Sequence, residues 1–156
     1  MSSNKTLSDK ENENERLFNE AIQARDADEL ARAEDLFRQL LGVLTKSDRK
    51  LKVATNVQLG FVESQLKKFK MAEESYRQAI EGAPHYELAS LGLFHSLVDQ
   101  DKWTEALSEV VRFVALRDSE AYRELLGPGY EDDMSSQDQA LVQRARSLLA
   151  GHEVVS

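Results

Sequence analysis

The chain has no cysteine. Disulfides, thiol nucleophiles and thiolate metal ligands are excluded together. Proline occurs only as Pro84 and Pro128, and there are seven glycines in 156 residues. Long helices therefore have room between few breaks. No run of about 18 apolar residues exists, so no segment reads as a membrane span. The opening MSSNKTLSDKENENE has no apolar stretch of the kind a secretory leader needs. The expectation is a cytoplasmic protein, in which the Asn4-Lys5-Thr6 sequon carries no weight.

Catalytic and metal-binding patterns are also missing. His85, His95 and His152 stand apart, with no pair at i, i+4 and no His-Glu-x-x-His. No glycine-rich phosphate loop occurs. Glu131-Asp132-Asp133 lacks the spaced oxygens and glycine of a calcium loop. Glu73 and Glu74 fall on an exposed helix face, and no pair of carboxylates is placed for acid–base work. The expectation is no enzyme, no cofactor and no metal. The formal charge is −8, and the basic groups Arg49, Lys50, Lys52 and Lys67, Lys68, Lys70 are short and sit at helix ends. Neither nucleic acid nor an anionic membrane surface is the expected partner.

What is present is helical periodicity, with no alternating strand pattern. Ser8-Asp9-Lys10-Glu11 has the form of a capping box and predicts a first helix from about Asp9 to Arg25. Further helices are predicted over residues 28–44, from Thr45 or Ser47 to Leu66, then over 71–82, 85–100, 103–116 and 119–126. A last one runs from Ser136 to Ala150, where Gly151 ends it. Gly127-Pro128-Gly129 is a firm break. Short links between consecutive helices predict antiparallel packing in an all-α fold.

Sliding the chain along itself shows a period. Phe69 and Trp103, Ala72 and Ala106, Tyr76 and Val110, and Leu59 and Leu93 each lie 34 residues apart. In a frame beginning at Val53 the chain offers Leu59, Gly60, Phe69, Ala72, Tyr76, Ala79 and Pro84. This spacing of small and aromatic residues on helix pairs resembles the tetratricopeptide repeat (TPR). Asn56 stands where the family has Trp. The copy from Glu87 keeps Leu93, Trp103 and Ala106 but has Phe94 and Phe113 where the family has Gly and Ala, which predicts a splayed or shifted pair. The copy from Asn14 keeps Ala21, Leu30, Ala33 and Phe37. It is about five residues out of step, so an insertion near Ser47–Lys52 lengthens the third helix. The resemblance covers residues 14–120. It implies a right-handed superhelix of antiparallel helix pairs, an α-solenoid of about three repeats. The implied organisation is a polar N-terminal arm at 1–13 and repeats within 14–126 (14–47, 53–86, 87–120). Residues 127–156 would form a loop and a C-terminal capping helix with the apolar stripe Leu141, Val142, Ala145, Leu148 and Leu149.

The resemblance also implies a concave face lined by the first helix of each pair. The matching positions are Glu15, Phe18, Ile22, Arg25 and Asp26; then Ala54, Val57, Phe61, Ser64 and Gln65; then Leu88, Leu91, His95, Val98 and Asp99. The candidate groove is therefore Phe18, Ile22, Val57, Phe61, Ser64, Gln65, Leu88, Leu91, His95 and Val98. The clamp by which some family members hold acidic chaperone tails is absent. Phe18, Ile22, Gln58, Leu88 and Gly92 occupy its five positions. The implied function is protein binding: an adaptor or chaperone taking an apolar partner segment, helical or extended, in the groove. Small acidic three-repeat proteins of this kind are similar to the chaperones of bacterial type III secretion translocators. A toxin-inhibitor or immunity-type partner has the same features. So does a structural, self-assembling subunit such as a homodimer, with the groove covered by its own helices.

Overall fold

Thr6, rather than Ser8, caps the first helix in the computed structural model, which describes residues 6–155. Its hydroxyl accepts from Asp9 N at 3.2 Å, and the Asp9 carboxylate accepts from Thr6 N at 3.4 Å. Thr6 has the extended backbone a cap requires, and Asp9 returns the second bond of the box. Ser8 and Glu11 lie inside the helix. Residues 1–5 of the expected arm, with the Asn4 sequon, and Ser156 lie outside the described residues.

The elements are α1 (Leu7–Asp26), α2 (Leu30–Val43), a short 3-10 turn (Lys46–Asp48), α3 (Arg49–Gln65), α4 (Phe69–Gly82), α5 (Glu87–Asp99), α6 (Trp103–Leu116), α7 (Glu120–Leu125) and α8 (Ser136–Val155). There is no strand among the described residues.

The turns α1–α2, α3–α4 and α5–α6 share one geometry. Asp28, Lys67 and Asp101 each adopt φ 61°. The following amide reaches back five residues in every case: Glu29 N to Ala24 O at 2.9 Å, Lys68 N to Glu63 O at 2.8 Å, and Lys102 N to Leu97 O at 2.9 Å. A left-handed residue closed by such a bond satisfies the orphan carbonyls of a helix end. Lys67 and Asp101 are 34 residues apart, and Asp28 and Lys67 are 39. Of the five extra residues, four form an additional turn at the start of α3, which has 17 residues against 13 in α5, and one lengthens the link before it, where a 3-10 turn is closed by Thr45 and Asp48. Ala33, Ala72 and Ala106 fall at the same step after each turn, and all three are fully buried.

Each helix from α1 to α6 packs against the next; α1 also touches α3, and α3 touches α5. An ion pair repeats between successive second helices. Lys68 Nζ meets Glu34 at 2.7 Å, and Lys102 Nζ meets Glu73 at 3.1 Å. The interior divides in two. Ala21, Ala24, Ala33, Phe37, Leu59 and Val62 form a smaller cluster. A larger one runs from Val57 and Tyr76 through α5 and α6 to α8.

The two rings of the α5–α6 pair pack against α7. Phe94 and Phe113 are both buried and each meets Tyr122 of α7 edge-on, at 6.1 and 5.8 Å between centroids. The Tyr122 hydroxyl is 2.8 Å from Ser90 Oγ, which donates to Glu109 at 2.6 Å. A six-residue helix thus supplies one tyrosine that packs against both of the rings standing in place of Gly and Ala.

α8 packs against α6 and adds Val142, Ala145 and Leu149 to the larger core. Gly151 does not end it. The helix continues to Val155, with His152 Nε2 donating to the Val114 carbonyl at 2.6 Å and Glu153 paired to Arg123 at 2.9 Å. Tertiary contacts carry the chain past a residue that favours stopping.

Candidate functional site

α3 is the central helix of the site. Leu59 and Val62 go to the smaller core and Val57 to the larger. That leaves a stripe through Ala54, Val57, Gln58, Phe61 and Gln65, at the i, i+3 and i+4 steps that share a face.

A cavity of about 510 Å3 opens on this stripe. It is lined by Arg25, Asp26, Asp28, Val57, Gln58, Phe61, Gln65, Tyr76 and Leu88. Four residues of the expected groove therefore meet at one place: Val57, Phe61, Gln65 and Leu88. Val57 is floor, 6 % exposed, whereas Phe61 is 44 % and Leu88 is 56 % exposed. Arg25 lies over the Phe61 ring at 5.9 Å, donates to Asp26 at 2.7 Å and donates to Gln58. A guanidinium so placed adds a cation–π contact and stiffens the wall.

Six other expected residues do not line this cavity. Phe18 and Ile22 are half-buried against the smaller core, with Phe18 edge-on to Phe37 at 5.9 Å. Leu91 and Val98 are half-buried against the larger core. His95 is exposed, its ring edge-on to Phe94 at 5.2 Å. Ser64 is half-buried and hydrogen-bonded to Tyr76.

Tyr76 lines the cavity although it is a repeat position outside the expected groove. Its ring lies between Gly60 of α3 and Gly92 of α5, where a Cβ would overlap it from either side. The ring is thereby carried through the helix layer to the cavity floor. Burial, opposed by the Ser64 hydrogen bond and reinforced by Glu63, pushes its hydroxyl up to about 12, so it is a neutral donor at ordinary pH. The signal that identifies it is a glycine on each of two neighbouring first helices.

A second cavity, of about 600 Å3, opens at the N-terminal end of α3. Its lining is Arg49, Lys50, Val53, Ala54, Gly82, Ala83, Pro84, His85 and Tyr86. Arg49 Nε donates to Gly82 O at 2.7 Å.

Two glutamates are held by neighbouring side chains. Glu63 accepts from Ser75 at 2.5 Å and from Arg38 at 2.8 Å. Burial raises its pKa, and those two partners offset only part of the rise. Burial also acts upward on Glu73, but hydrogen bonds from Arg77, Gln100 and Lys102 outweigh it and leave the pKa lowered. Among the described residues no group of three or more His, Asp or Glu is placed to hold a metal ion. No described helix is long and apolar enough to cross a membrane.

No protein-family model and no curated protein matches this chain.

Proposed function

We propose that the protein is a non-catalytic protein-binding module. In this reading its paired helices form a TPR-like superhelix closed by α8. An apolar segment of a partner lies across α1, α3 and α5, as for an adaptor or a chaperone holding a client. The observation that carries the reading is the joint exposure of Phe61 and Leu88 over one cavity whose floor is apolar. Contiguous exposed apolar surface in a recess marks a contact site more often than an isolated exposed residue does. The reading is further supported by the position of α8, which packs against α6 and has no comparable packing on α1, α3 or α5.

The test is a pull-down from native lysate with wild type beside Phe61→Asp. A carboxylate placed where an apolar partner side chain seats loses on the order of 1–3 kcal/mol of binding, because it is desolvated without a partner. A protein held by wild type and lost by the variant names the partner. Identical captures by both proteins move the binding face away from Phe61.

A further inference from the structure

We infer that the α1–α2 pair is a movable flap of this fold, docked on α3 and α4 through a buried ionic joint around Glu63, and that the joint loosens as pH rises. The inference goes beyond the binding reading above and needs no partner for its test. Its first support is the divided interior. Ala21, Ala24, Ala33 and Phe37 of the pair close on Leu59 and Val62 of α3 in a cluster separate from the larger core. A helix pair with a small core of its own is the kind of unit in which a fold opens part by part. The pair joins the rest of the chain through residues 44–48, which contain no α-helix.

The joint lies where these elements meet. Glu63 on α3 is fully buried. It accepts from Ser75 Oγ of α4 at 2.5 Å and from Arg38 Nη2 of α2 at 2.8 Å. The same Arg38 nitrogen is 3.6 Å from Glu34 Oε2. Glu34 is also buried. Its Oε1 accepts from Lys68 Nζ at 2.7 Å, whereas its Oε2 has no hydrogen-bond partner among the described residues. One guanidinium nitrogen therefore stands between two buried carboxylates and donates to only one of them. The titratable and charged groups acting on Glu63 come from α2, with Glu34 and Arg38, and from α4, with Tyr76 and the N-cap Lys68.

A proton relieves this shortage. Protonated Glu63 donates to Ser75 Oγ instead of accepting from it, and Arg38 turns to Glu34 Oε2. Ionised Glu63 retains Arg38 and leaves Glu34 short of a donor, with two carboxylates desolvated side by side. Burial above all, and the Glu34 charge with it, raise the Glu63 pKa against the pull of Ser75, Arg38 and Lys68. Undocking hydrates Glu63 and returns it to the ordinary carboxylate value. Its contribution to docking is complete below that ordinary value and is lost as pH rises through the raised one. Lifting the flap also changes the cavity. Arg25, Asp26 and Asp28 leave its wall, the cation over Phe61 withdraws, and the Leu59 and Val62 face of α3 meets solvent.

Residue-resolved amide hydrogen exchange on the full chain tests this, at about pH 5 and about pH 7.5 and corrected for intrinsic exchange. The amides of Ala24, Ala33 and Phe37 report the flap, and those of Val110, Val114 and Val142 report the larger core. In wild type the flap amides open about tenfold or more as often as the core amides, and that excess rises several-fold between the two pH values. Glu63→Gln removes the ionising group and keeps hydrogen-bonding atoms in place, so its excess is the same at both. Arg38→Met removes the shared cation, and its flap opens several-fold more than wild type while the core amides do not change. Flap and core amides with one opening constant in wild type overturn the flap, as does an Arg38→Met chain that loosens both alike or neither. A pH rise that is absent from wild type, or that survives in Glu63→Gln, overturns the joint.

Discussion

Gly92 of α5 faces the ring of Tyr76 so closely that a methyl group at residue 92 would overlap it. The contact sets the distance between α4 and α5 and holds the tyrosine at the floor of the cavity beneath Phe61 and Leu88. Gly60 does the same from α3, where a Cβ would lie 2.8 Å from the ring.

Gly92→Ala is accordingly destabilising by about 1–3 kcal/mol, the usual range for forcing atoms into a packed interior, and Gly60→Ala acts in the same direction. Gly151→Ala has the opposite sign. It lies within α8 with nothing within 4 Å of its Cβ position, and removing a helical glycine gains about 0.5–1 kcal/mol. Urea denaturation of the three variants checks both signs.

Lys67 sits in the left-handed region at φ 61°, which costs an L-residue roughly 1–2 kcal/mol. Lys67→Val puts a β-branched side chain there and lowers stability further, by about 1 kcal/mol or more. Lys67→Gly relieves the strain at some cost in chain entropy and gains up to about 1 kcal/mol. A loss of stability in the glycine variant, measured by thermal unfolding, would contradict this account of the turn.

Glu63 and Glu73 have opposite pH signatures. The folded chain holds the Glu63 proton above the ordinary carboxylate value because of burial. Its contribution is favourable below the unfolded pKa and is lost as pH rises through the folded one. Glu63→Gln therefore gains stability relative to wild type between about pH 4.5 and neutrality. Glu73 is lowered by Arg77, Gln100 and Lys102 in spite of burial. Its contribution is present above the unfolded pKa and lost as pH falls through the folded one, so Glu73→Gln is most costly near neutrality. Denaturation midpoints across that pH range separate the two.

Phe61 and Val57 are neighbours on α3 with different burial. Phe61→Asp leaves the unfolding midpoint nearly unchanged, within about 0.5 kcal/mol, as for an exposed substitution. Val57→Asp buries an unpaired charge in the larger core and lowers stability by about 3 kcal/mol or more. Circular dichroism melts of the two variants distinguish wall from floor.

Helix existence and order were legible from periodicity and from a few breakers. The Trp103–Leu116 helix has the expected bounds, and the extra turn of α3 follows from the five-residue offset between the first two turns. Several helix ends differ from expectation by a few residues, and at two of them local signals compete with context. Thr6 takes the cap from Ser8 by pairing with Asp9, and α8 passes Gly151 because His152 and Glu153 find partners on α6 and α7. Of the expected groove, Phe61, Gln65 and Leu88 share a cavity with Val57. Phe18, Ile22, Leu91 and Val98 spend part of their surface on the cores. Spacing alone does not distinguish a lining residue from a packing one, because both recur on the same helix face.

The sequence by itself determined an all-helical chain, the 34-residue recurrence with its offset, and the absence of thiol chemistry and phosphate loops. These depend on residue type and short-range spacing, which the helix period converts directly into faces and turns. Tertiary structure alone decided that Tyr76 passes between two glycines to the cavity floor, that Tyr122 packs against both Phe94 and Phe113, and that Phe61 and Leu88 remain open to solvent. Those outcomes join residues from helices far apart in the chain. They depend on how closely each backbone approaches the next, a distance fixed by all the packed side chains together.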